Sequence, residues 1–158
     1  MKFNLLLASL LLPIASCALA APFTVSADEQ EVTDTKTGLI WRRCAEGMTA
    51  SGGTCTGAAS PFTHEAALTR ASAQAATAAV PWRLPNVKEL SSISDRNRFN
   101  PAIDTAAFPA TPANWFWSSS PYVGYAGAAW YVNFDNGFVY ISDLVNFSGY
   151  VRLVRGGQ

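Results

Sequence analysis

Two cysteines in the body of the chain are the clearest indication of chemistry in the sequence. Cys44 and Cys55 flank segment 45–54, which is rich in Gly and is predicted to be a flexible loop. In an exported domain such a pair forms a disulfide; the alternative is a reactive thiol or half a metal site. Two thiolates need further ligands to complete a tetrahedral zinc shell, and His64 is the single histidine. We therefore predict a structural Cys44–Cys55 disulfide, with no metal and no cofactor.

The other reactive side chains lack the neighbours that catalysis requires. His64 and Glu65 fall in the first turn of a predicted helix, without a nucleophile placed beside them. The serine run 118–120 is not surrounded by a Gly-x-Ser-x-Gly turn. Four aspartates lack the spacing of an EF-hand calcium loop: Asp95, Asp104, Asp135 and Asp143. We therefore predict no catalytic residues and a protein that is not an enzyme.

The first twenty residues have the pattern of a secretory signal peptide. Lys2 precedes an apolar stretch over 5–14, and Ala18-Leu19-Ala20 is a small-x-small cleavage pattern. Residues 14–17 also match the lipobox of bacterial lipoproteins, in which Cys17 would carry acyl chains. Both interpretations predict export to the periplasm, the cell surface or the medium, and they leave open whether Cys17 is removed or lipidated.

The charge balance narrows the classes of partner. The chain has 158 residues, with 11 Lys and Arg against 11 Asp and Glu. This balance argues against binding to nucleic acid and against polybasic attachment to membranes. After the signal segment, no apolar run is long enough to cross a membrane. We predict an N-terminal lead-in over 21–31 and one domain over 32–156.

Two helices are predicted to precede the main strands. An Ala-rich segment between a capping Thr63 and Pro81 predicts a helix over 63–79. Its expected apolar face consists of Leu68, Ala71, Ala75 and Ala79. Apolar residues at helical spacing predict a second, shorter helix over 85–94. The irregular stretch that follows is expected to bury Phe99, Ile103 and Phe108.

The remaining segments predict antiparallel strands. Short strands are expected over 39–41, 115–118 and 149–155. Asn136-Gly137 predicts a hairpin with a two-residue type I′ turn, since both positions need positive φ. That register pairs Phe134 with Val139, Val132 with Ile141, and Trp130 with Asp143. Two helices followed by antiparallel strands predict an α+β fold.

This hairpin has two faces of different composition. The face predicted to enter the core carries Trp130, Val132, Phe134, Val139 and Ile141. The opposite face is half polar and carries Tyr131, Asn133, Phe138, Tyr140 and Ser142. Several aromatic residues lie in loops or on this second face: Trp115, Tyr122, Tyr125, Tyr131, Tyr140 and Phe147. Exposed rings of this kind stack on sugars or anchor a protein partner, and the alternative is that they fill a second core.

Five segments, taken in order, resemble a known bacterial family. They are D…TGLIW over 34–41, WRLPNVKEL over 82–90, FWSSSPY over 116–122, WYVNF…G over 130–137 and YVRLVR over 150–155. The chain resembles the DUF1566 family, the C-terminal domain of the Legionella collagen-like adhesin. The resemblance implies a C-type-lectin-like fold, with two helices, a twisted antiparallel sheet and long ordered loops. It also implies an exported or surface-attached protein and, from the adhesin, attachment through sulfated polysaccharides.

The resemblance assigns most of its own motif residues to the framework. These residues are Trp41, Trp82, Arg83, Asn86, Trp117, Trp130, Asn136, Gly137, Arg152 and Arg155. Buried Arg and Asn side chains hold loops together by hydrogen bonds to backbone carbonyls. For Arg83, Asn86, Arg152 and Arg155, the alternative role is contact with a ligand. The calcium-binding motifs of true C-type lectins are absent from the sequence. Leu153 stands where the family often has a Cys, so no second disulfide is expected.

Three functions follow as hypotheses. The first is a non-catalytic binding module for adhesion or glycan recognition, with a loop surface at Tyr122, Tyr125 and Phe147 and a polysaccharide or cell-surface protein as partner. The second is a structural subunit of a cell-envelope or pilus-like complex. The third is a formylglycine-generating type of enzyme, which would need free thiols at Cys44 and Cys55.

Overall fold

A computed structural model describes residues 22–142 and 147–156. The predicted signal segment 1–20 with Cys17, and Asp143, lie outside these residues, and what was predicted for them stays a prediction. Nine strands and two helices occur in this part: β1 (Phe23–Val25), β2 (Glu31–Asp34), β3 (Ile40–Arg42), β4 (Thr49–Ser51), β5 (Thr54–Thr56), α1 (His64–Ala78), α2 (Val87–Ser92), β6 (Trp115–Pro121), β7 (Ala129–Asn133), β8 (Phe138–Ser142) and β9 (Val154–Arg155). The α+β class is confirmed, although the strands form three antiparallel sheets instead of one.

The first sheet joins the two ends of the domain. Its order is β1-β2-β3-β9, so the last strand pairs with β3. A turn links β2 to β3: the Gly38 N–H donates to the Asp34 carbonyl at 2.8 Å, and Gly38 has a φ of 71°. The Asp34 carboxylate accepts the Thr37 hydroxyl at 2.7 Å, which fixes the turn further. Trp41 on β3, which was assigned to the framework, is fully buried.

The predicted strand 149–155 is much shorter in the structure. Only Val154 and Arg155 belong to β9, whereas Gly149 and Tyr150 make isolated bridges to Phe62 and Phe116. All three side chains of segment 151–153, between Tyr150 and β9, are buried, so this segment does not alternate between a core face and a solvent face. It passes through the centre of the domain instead of lying along a sheet edge.

The segment between the cysteines is a hairpin, contrary to the predicted flexible loop. Strands β4 and β5 pair across Gly52 and Gly53, whose φ values are 59° and 81°. Two consecutive positive φ angles suit a type I′ turn, which glycine adopts without strain. The predicted disulfide is confirmed: the Cys44 and Cys55 sulfurs are 2.02 Å apart, and the bond holds β5 against the chain that leaves β3.

Helix α1 begins and ends within one residue of the predicted bounds, and it buries only part of the predicted face. The Thr63 hydroxyl accepts the Ala66 N–H at 3.3 Å and caps the helix, which ends at Ala79 in the left-handed region. Ala71 is buried as predicted, but Ala67 is buried and Leu68 is exposed, contrary to prediction. Small side chains on the buried side let the helix pack closely against the sheet, and the larger Leu68 does not fit there.

Helix α2 is shorter than predicted because Asn86 is its cap and not its first residue. The Asn86 side chain accepts the Glu89 N–H at 2.9 Å, and the Glu89 carboxylate accepts the Asn86 N–H at 2.8 Å. This reciprocal pair is a capping box, which starts the helix at Val87. Leu90 in the helix and Ile93 just after it are buried as expected.

The third sheet, of order β6-β7-β8, contains the predicted hairpin in a different register. Val132 pairs with Val139, and Asn133 pairs with Phe138, so the loop has four residues. Only Gly137 in that loop has positive φ, at 76°, and the type I′ prediction was wrong. Phe134 leaves the ladder because its side chain is fully buried and its N–H donates to the Asn114 carbonyl at 2.9 Å. A slip of two residues keeps each side chain on its predicted face.

The three-stranded sheet separates two hydrophobic cores. The first lies on the α2 side and contains the following buried residues: Trp41, Leu90, Ile93, Phe108, Phe116, Val132 and Phe134. The second lies on the α1 side and contains Ala67, Ala71, Trp82, Trp117, Val151 and Leu153. Ile141 and Phe99, both predicted to be buried, are exposed. Ile141 lies on the outermost strand, where the core no longer covers it.

Candidate functional site

Five aromatic rings cover one face of the three-stranded sheet, and we call this surface the aromatic face. It consists of Trp115 on β6, Tyr131 on β7, Phe138 and Tyr140 on β8, and Phe147. Strand pairing places these residues together: Trp115 pairs with Asn133, which pairs with Phe138, and Tyr131 pairs with Tyr140. Phe138 and Tyr140 are 47% and 40% exposed, and the other three rings are half-buried.

The rings contact one another in a continuous row. Tyr140 stacks on Tyr131 with centroids 5.6 Å apart and planes at 24°. Tyr131 lies 5.5 Å from Trp115, whose ring is 4.0 Å from Phe147. The row therefore runs across all three strands, and its buried side packs on Trp117 in the second core. An extended row of part-exposed rings suits a long ligand with flat apolar faces.

Polar groups with unused hydrogen-bonding capacity lie beside the rings. The Asn133 Oδ1 atom accepts the Asp135 N–H at 2.9 Å, while its NH₂ group has no partner within residues 22–142 and 147–156. The Tyr140 hydroxyl oxygen accepts from Asn136 Nδ2 at 3.1 Å and keeps its own proton to donate. Asn136, assigned to the framework, thus holds a ring of the aromatic face in place.

A cation lies at the Phe138 end of the aromatic face. The Arg96 guanidinium is 4.8 Å from the centre of the Phe138 ring, and its Nε donates to the Gly137 carbonyl at 3.4 Å. Gly137 is buried at this contact, with the Arg96 Cγ close to where a Cβ would stand. The terminal nitrogens of Arg96 form no ion pair in the described part of the chain, so they can meet an anionic group of a ligand.

Tyr131 is a neutral hydrogen-bonding group of the aromatic face. Burial raises the pKa of Tyr131 above its ordinary value, and the nearby Tyr140 hydroxyl raises it further. Both effects disfavour a phenolate. Tyr131 therefore contributes a ring and a neutral hydroxyl and not a charge or a general base.

The three residues predicted to form a loop site do not come together. Phe147 belongs to the aromatic face, whereas the Tyr122 ring packs edge-on against Trp130 at 5.5 Å. Trp130 precedes Tyr131 on β7 and lies on the other face of the sheet. Tyr125 is 60% exposed in the loop between β6 and β7.

Trp130 lines a separate hollow on that opposite face. The hollow has a volume of about 470 Å³ and lies between α2 and the sheet, with Val87, Lys88 and Val139 among its walls. Trp130, assigned to the framework, is half-buried there. The two faces of one hairpin thus present two surfaces of different shape, one a flat row of rings and the other a single ring in a depression.

Arg152, which was assigned to the framework, is hydrogen-bonded inside the protein. Its side chain is completely buried and donates to the Arg42 carbonyl at 2.9 Å, to the Arg43 carbonyl, and to the Thr111 hydroxyl at 2.7 Å. Its guanidinium lies 4.8 Å from the Phe108 ring. Burial lowers the pKa of Arg152 to about 9, so the group stays charged at neutral pH. It joins three distant segments and has no open side for a ligand.

The other framework residues also pair within the protein. Arg42 and Arg155 hold their guanidinium groups 4.5 and 5.5 Å from the ring of buried Trp82. Arg155 also forms an ion pair with Glu31 at 2.7 Å. Arg83 and Glu89 form a two-pronged pair with both contacts at 2.7 Å, and this pair lowers the pKa of Glu89.

The groups first considered for catalysis are used in packing. The His64 Nε2 atom is 2.9 Å from the Ser118 carbonyl, and the ring contacts Trp117 with centroids 5.2 Å apart. The Ser118 hydroxyl donates to the Trp130 carbonyl at 2.7 Å and not to the histidine. Across residues 22–142 and 147–156, no three metal-ligating side chains cluster, and no helix has the length and apolarity needed to cross a membrane.

Sequence patterns found the rings but not all of their polar neighbours. Period-two alternation places Asn133, Phe138 and Tyr140 on one face, as the hairpin prediction stated. Arg96 was missed because it lies in an irregular loop forty-odd positions before its partner Phe138, and no local pattern connects the two.

Comparison with known proteins identifies the family but not a close relative. Residues 30–155 match the family described as the Lcl C-terminal domain. No curated protein and no solved structure matches the chain at a significant level. Since the match spans most of the sequence and nearly all of the described fold, the chain belongs to the Lcl C-terminal domain family, which is the DUF1566 family.

Proposed function

We propose that this protein is an exported, non-catalytic module that binds polysaccharide chains through its aromatic face and so mediates surface adhesion. The proposal includes a C-type-lectin-like arrangement of the α+β fold, as the family resemblance implies. It also includes removal or lipidation of the N-terminal segment on export. The continuous row of Trp115, Tyr131, Tyr140 and Phe147 is the observation that carries the proposal.

The geometry of the row supports a polymer as the ligand. Pyranose rings present flat C–H faces that pack on aromatic rings, and successive rings of the row lie 4.0 to 5.6 Å apart. Asn133 and the Tyr140 hydroxyl would meet sugar hydroxyls at the edge of the rings. A single-residue ligand would leave most of this surface unused.

Charge favours an anionic polysaccharide over a neutral one. The Arg96 guanidinium at the Phe138 end is available for a sulfate or carboxylate. The chain as a whole has no net charge. Attraction to an acidic polymer would therefore come from this local cation and not from a general basic surface.

The disulfide supports export and a binding role over thiol chemistry. Cys44 and Cys55 are bonded to each other, which is typical of proteins in oxidising compartments. Neither sulfur is available as a free thiol in this state. A formylglycine-generating type of reaction would require such a thiol, so the same bond weighs against that hypothesis.

Matched tyrosine variants test the site. We expect Tyr140→Ala to weaken binding to immobilised dextran sulfate about tenfold, a change of about 1.4 kcal/mol, because one stacked ring and its hydroxyl are lost. Tyr125→Ala makes the same chemical change at an exposed loop position away from the row and is expected to leave binding unchanged. Surface plasmon resonance with dextran sulfate and uncharged dextran measures both variants.

Two results would count against the proposal. If Tyr125→Ala weakens binding and Tyr140→Ala does not, the ligand binds at the predicted loop surface and not at the aromatic face. If the unaltered protein binds neither polymer nor any member of a glycan array, polysaccharide recognition is the wrong function.

A further inference from the structure

Asn136 and Gly137 form the single Asn-Gly pair of the sequence, and they lie at the border of the aromatic face. An asparagine followed by glycine loses its side-chain amide far more readily than other asparagines. Glycine has no Cβ, so its backbone nitrogen can approach the Asn Cγ atom without a steric clash. Asn136 is half-buried in the loop between β7 and β8, and part of it is open to water. The pair therefore has the composition and the solvent access of a modification site.

The reaction at such a pair needs no partner other than water. The Gly137 backbone nitrogen attacks the Asn136 Cγ atom and gives up its proton, and the Cγ–Nδ2 bond breaks, so that the amide nitrogen leaves with this proton as ammonia. Water then opens the cyclic imide at either of the C–N bonds to its ring nitrogen. One opening gives an ordinary aspartate, and the other gives an isoaspartate, whose main chain runs through the side-chain carbon. Nothing is oxidised or reduced.

Contacts in the folded protein engage every group that has to react. The Gly137 N–H donates to the Asn133 carbonyl at 2.7 Å, which holds the attacking nitrogen in the turn. The Asn136 Oδ1 atom accepts the Phe138 N–H at 3.1 Å, and its Nδ2 atom donates to the Tyr140 hydroxyl at 3.1 Å. Groups held in this way react when the loop opens locally and frees them. Of these contacts, the one with the Tyr140 hydroxyl depends on a side chain of the aromatic face.

We infer that Asn136 is a slow deamidation site, that the Tyr140 hydroxyl holds it back, and that its reaction changes the charge of the aromatic face. A carboxylate at position 136 has no N–H to donate and instead accepts the Tyr140 proton, which is otherwise available to a ligand. The new negative charge lies close to Arg96, whose Nε donates to the Gly137 carbonyl at 3.4 Å.

The consequence for binding rests on the proposed function. A carboxylate beside Arg96 partly neutralises the local attraction for sulfate groups, so binding of an anionic polysaccharide is weakened. Deamidation would therefore act as a timer that reduces adhesion as the exported protein ages. The modification itself depends only on the Asn136–Gly137 pair and its contacts.

Mass spectrometry of aged protein tests the modification without any polysaccharide. After incubation of the full chain in mildly alkaline buffer, we expect aspartate and isoaspartate to accumulate at position 136 and not at the other asparagines, each of which precedes a larger residue. Tyr140→Phe keeps the ring and removes the hydroxyl, and it should speed this reaction about fivefold, the equivalent of one hydrogen bond. Tyr125→Phe makes the same chemical change at an exposed loop position and should leave the rate unaltered.

Three results would overturn the modification site. They are aged protein without aspartate or isoaspartate at position 136, equal rates for Tyr140→Phe and the unaltered chain, and a folded chain that reacts as fast as the same chain unfolded in urea. The last comparison remains decisive if Tyr140→Phe disturbs the fold.

A designed product tests the effect on binding. Asn136→Asp reproduces the aspartate, and we expect it to weaken binding to immobilised dextran sulfate about threefold at low salt, with a smaller effect at high salt. Asn136→Ser removes the contact with Tyr140 without adding charge and should weaken binding less. Equal affinities of Asn136→Asp and the unaltered protein would refute the timer. If the unaltered protein bound no polysaccharide, the proposed function would fail while the mass spectra still decided the modification, so the two proposals can fail separately.

Discussion

The same chemical pair occurs in two regions of this molecule with different consequences. Arg152 lies 4.8 Å from the Phe108 ring, and Arg96 lies 4.8 Å from the Phe138 ring. Arg152 is completely buried and donates to two backbone carbonyls and a hydroxyl, whereas Arg96 is exposed and makes one long contact to a carbonyl. Charged groups that hydrogen-bond inside the protein hold the fold together, and a cation that reaches solvent is available to a ligand. The environment, not the residue type, therefore separates framework from candidate site.

The largest expected effect comes from removing the buried arginine. Arg152→Leu leaves the carbonyls of Arg42 and Arg43 and the Thr111 hydroxyl without their donor, and each buried group left unpaired costs about 1–3 kcal/mol. We expect the free energy of unfolding in urea to fall by roughly 2–4 kcal/mol. Arg96→Leu is the matched change at the surface and should alter it by less than about 0.5 kcal/mol. Equal effects of the two variants would remove the distinction between the regions.

The disulfide should stabilise the fold without affecting the aromatic face. The double variant Cys44→Ser/Cys55→Ser releases a link between residues 11 apart, and the chain-entropy estimate for such a loop is about 3 kcal/mol. Urea unfolding should show this loss. Binding to dextran sulfate at temperatures where the variant is folded should be unchanged, since the second core, on which Tyr131 and Phe147 pack, includes no residue of the hairpin β4–β5 within the described residues. A loss of binding in the folded variant would show that the two regions are coupled.

A change in the aromatic face should weaken polysaccharide binding and have little effect on stability. Tyr140→Ala removes a ring that is 40% exposed, so we expect the free energy of unfolding to fall by less than about 1 kcal/mol. The tenfold loss of polysaccharide binding proposed above should accompany this small change. Chemical denaturation and binding are measured on the same preparation, and a stability loss of several kcal/mol would instead identify Tyr140 as a core residue.

The smallest expected effect concerns an exposed arginine that has a carboxylate partner. Arg83 lowers the pKa of Glu89 below its ordinary value of 4.5. The pair therefore stabilises the fold above pH 4.5 and loses this contribution as the pH falls through the lowered pKa. Because the pair is partly exposed, its contribution should be less than about 1 kcal/mol. Glu89→Gln keeps the capping box, so its destabilisation should be larger at pH 7 than at pH 3, measured by urea unfolding. A penalty of the same size at both pH values would show that the charge of Glu89 contributes nothing.

Local patterns in the sequence predicted the elements that depend on neighbouring residues. Thr63 and Asn86 each cap a helix through a backbone N–H three positions away. The disulfide was predicted because an exported chain has only two cysteines after its signal segment. The hairpin faces were predicted as well, because they depend only on alternation along the strand. The family resemblance added the framework residues that the patterns alone did not single out.

Long-range packing decided what the sequence could not predict. The hairpin loop is longer than predicted because Phe134 packs in the core against Phe116, with ring centres 5.0 Å apart. Helix α1 buries Ala67 in place of the predicted Leu68, since small side chains let it pack closely on the sheet. Arg152 was predicted on a strand face opposite Val151 and Leu153, but all three are buried where the chain passes between the two cores. Each outcome depends on residues far apart in sequence.

The indole N–H signals of the five tryptophans give the most direct test that the aromatic face is the binding surface. Trp115 lies on that face and Trp130 on the opposite one, while the Trp117 indole donates to the Phe62 carbonyl at 2.8 Å. In a ¹H–¹⁵N correlation spectrum titrated with a dextran sulfate oligosaccharide, the Trp115 signal is expected to shift and the Trp130 signal to stay in place. Single Trp→Phe variants at the two positions assign the signals. A shift of Trp130 with Trp115 unchanged, or no shift of either at saturating oligosaccharide, would contradict the account.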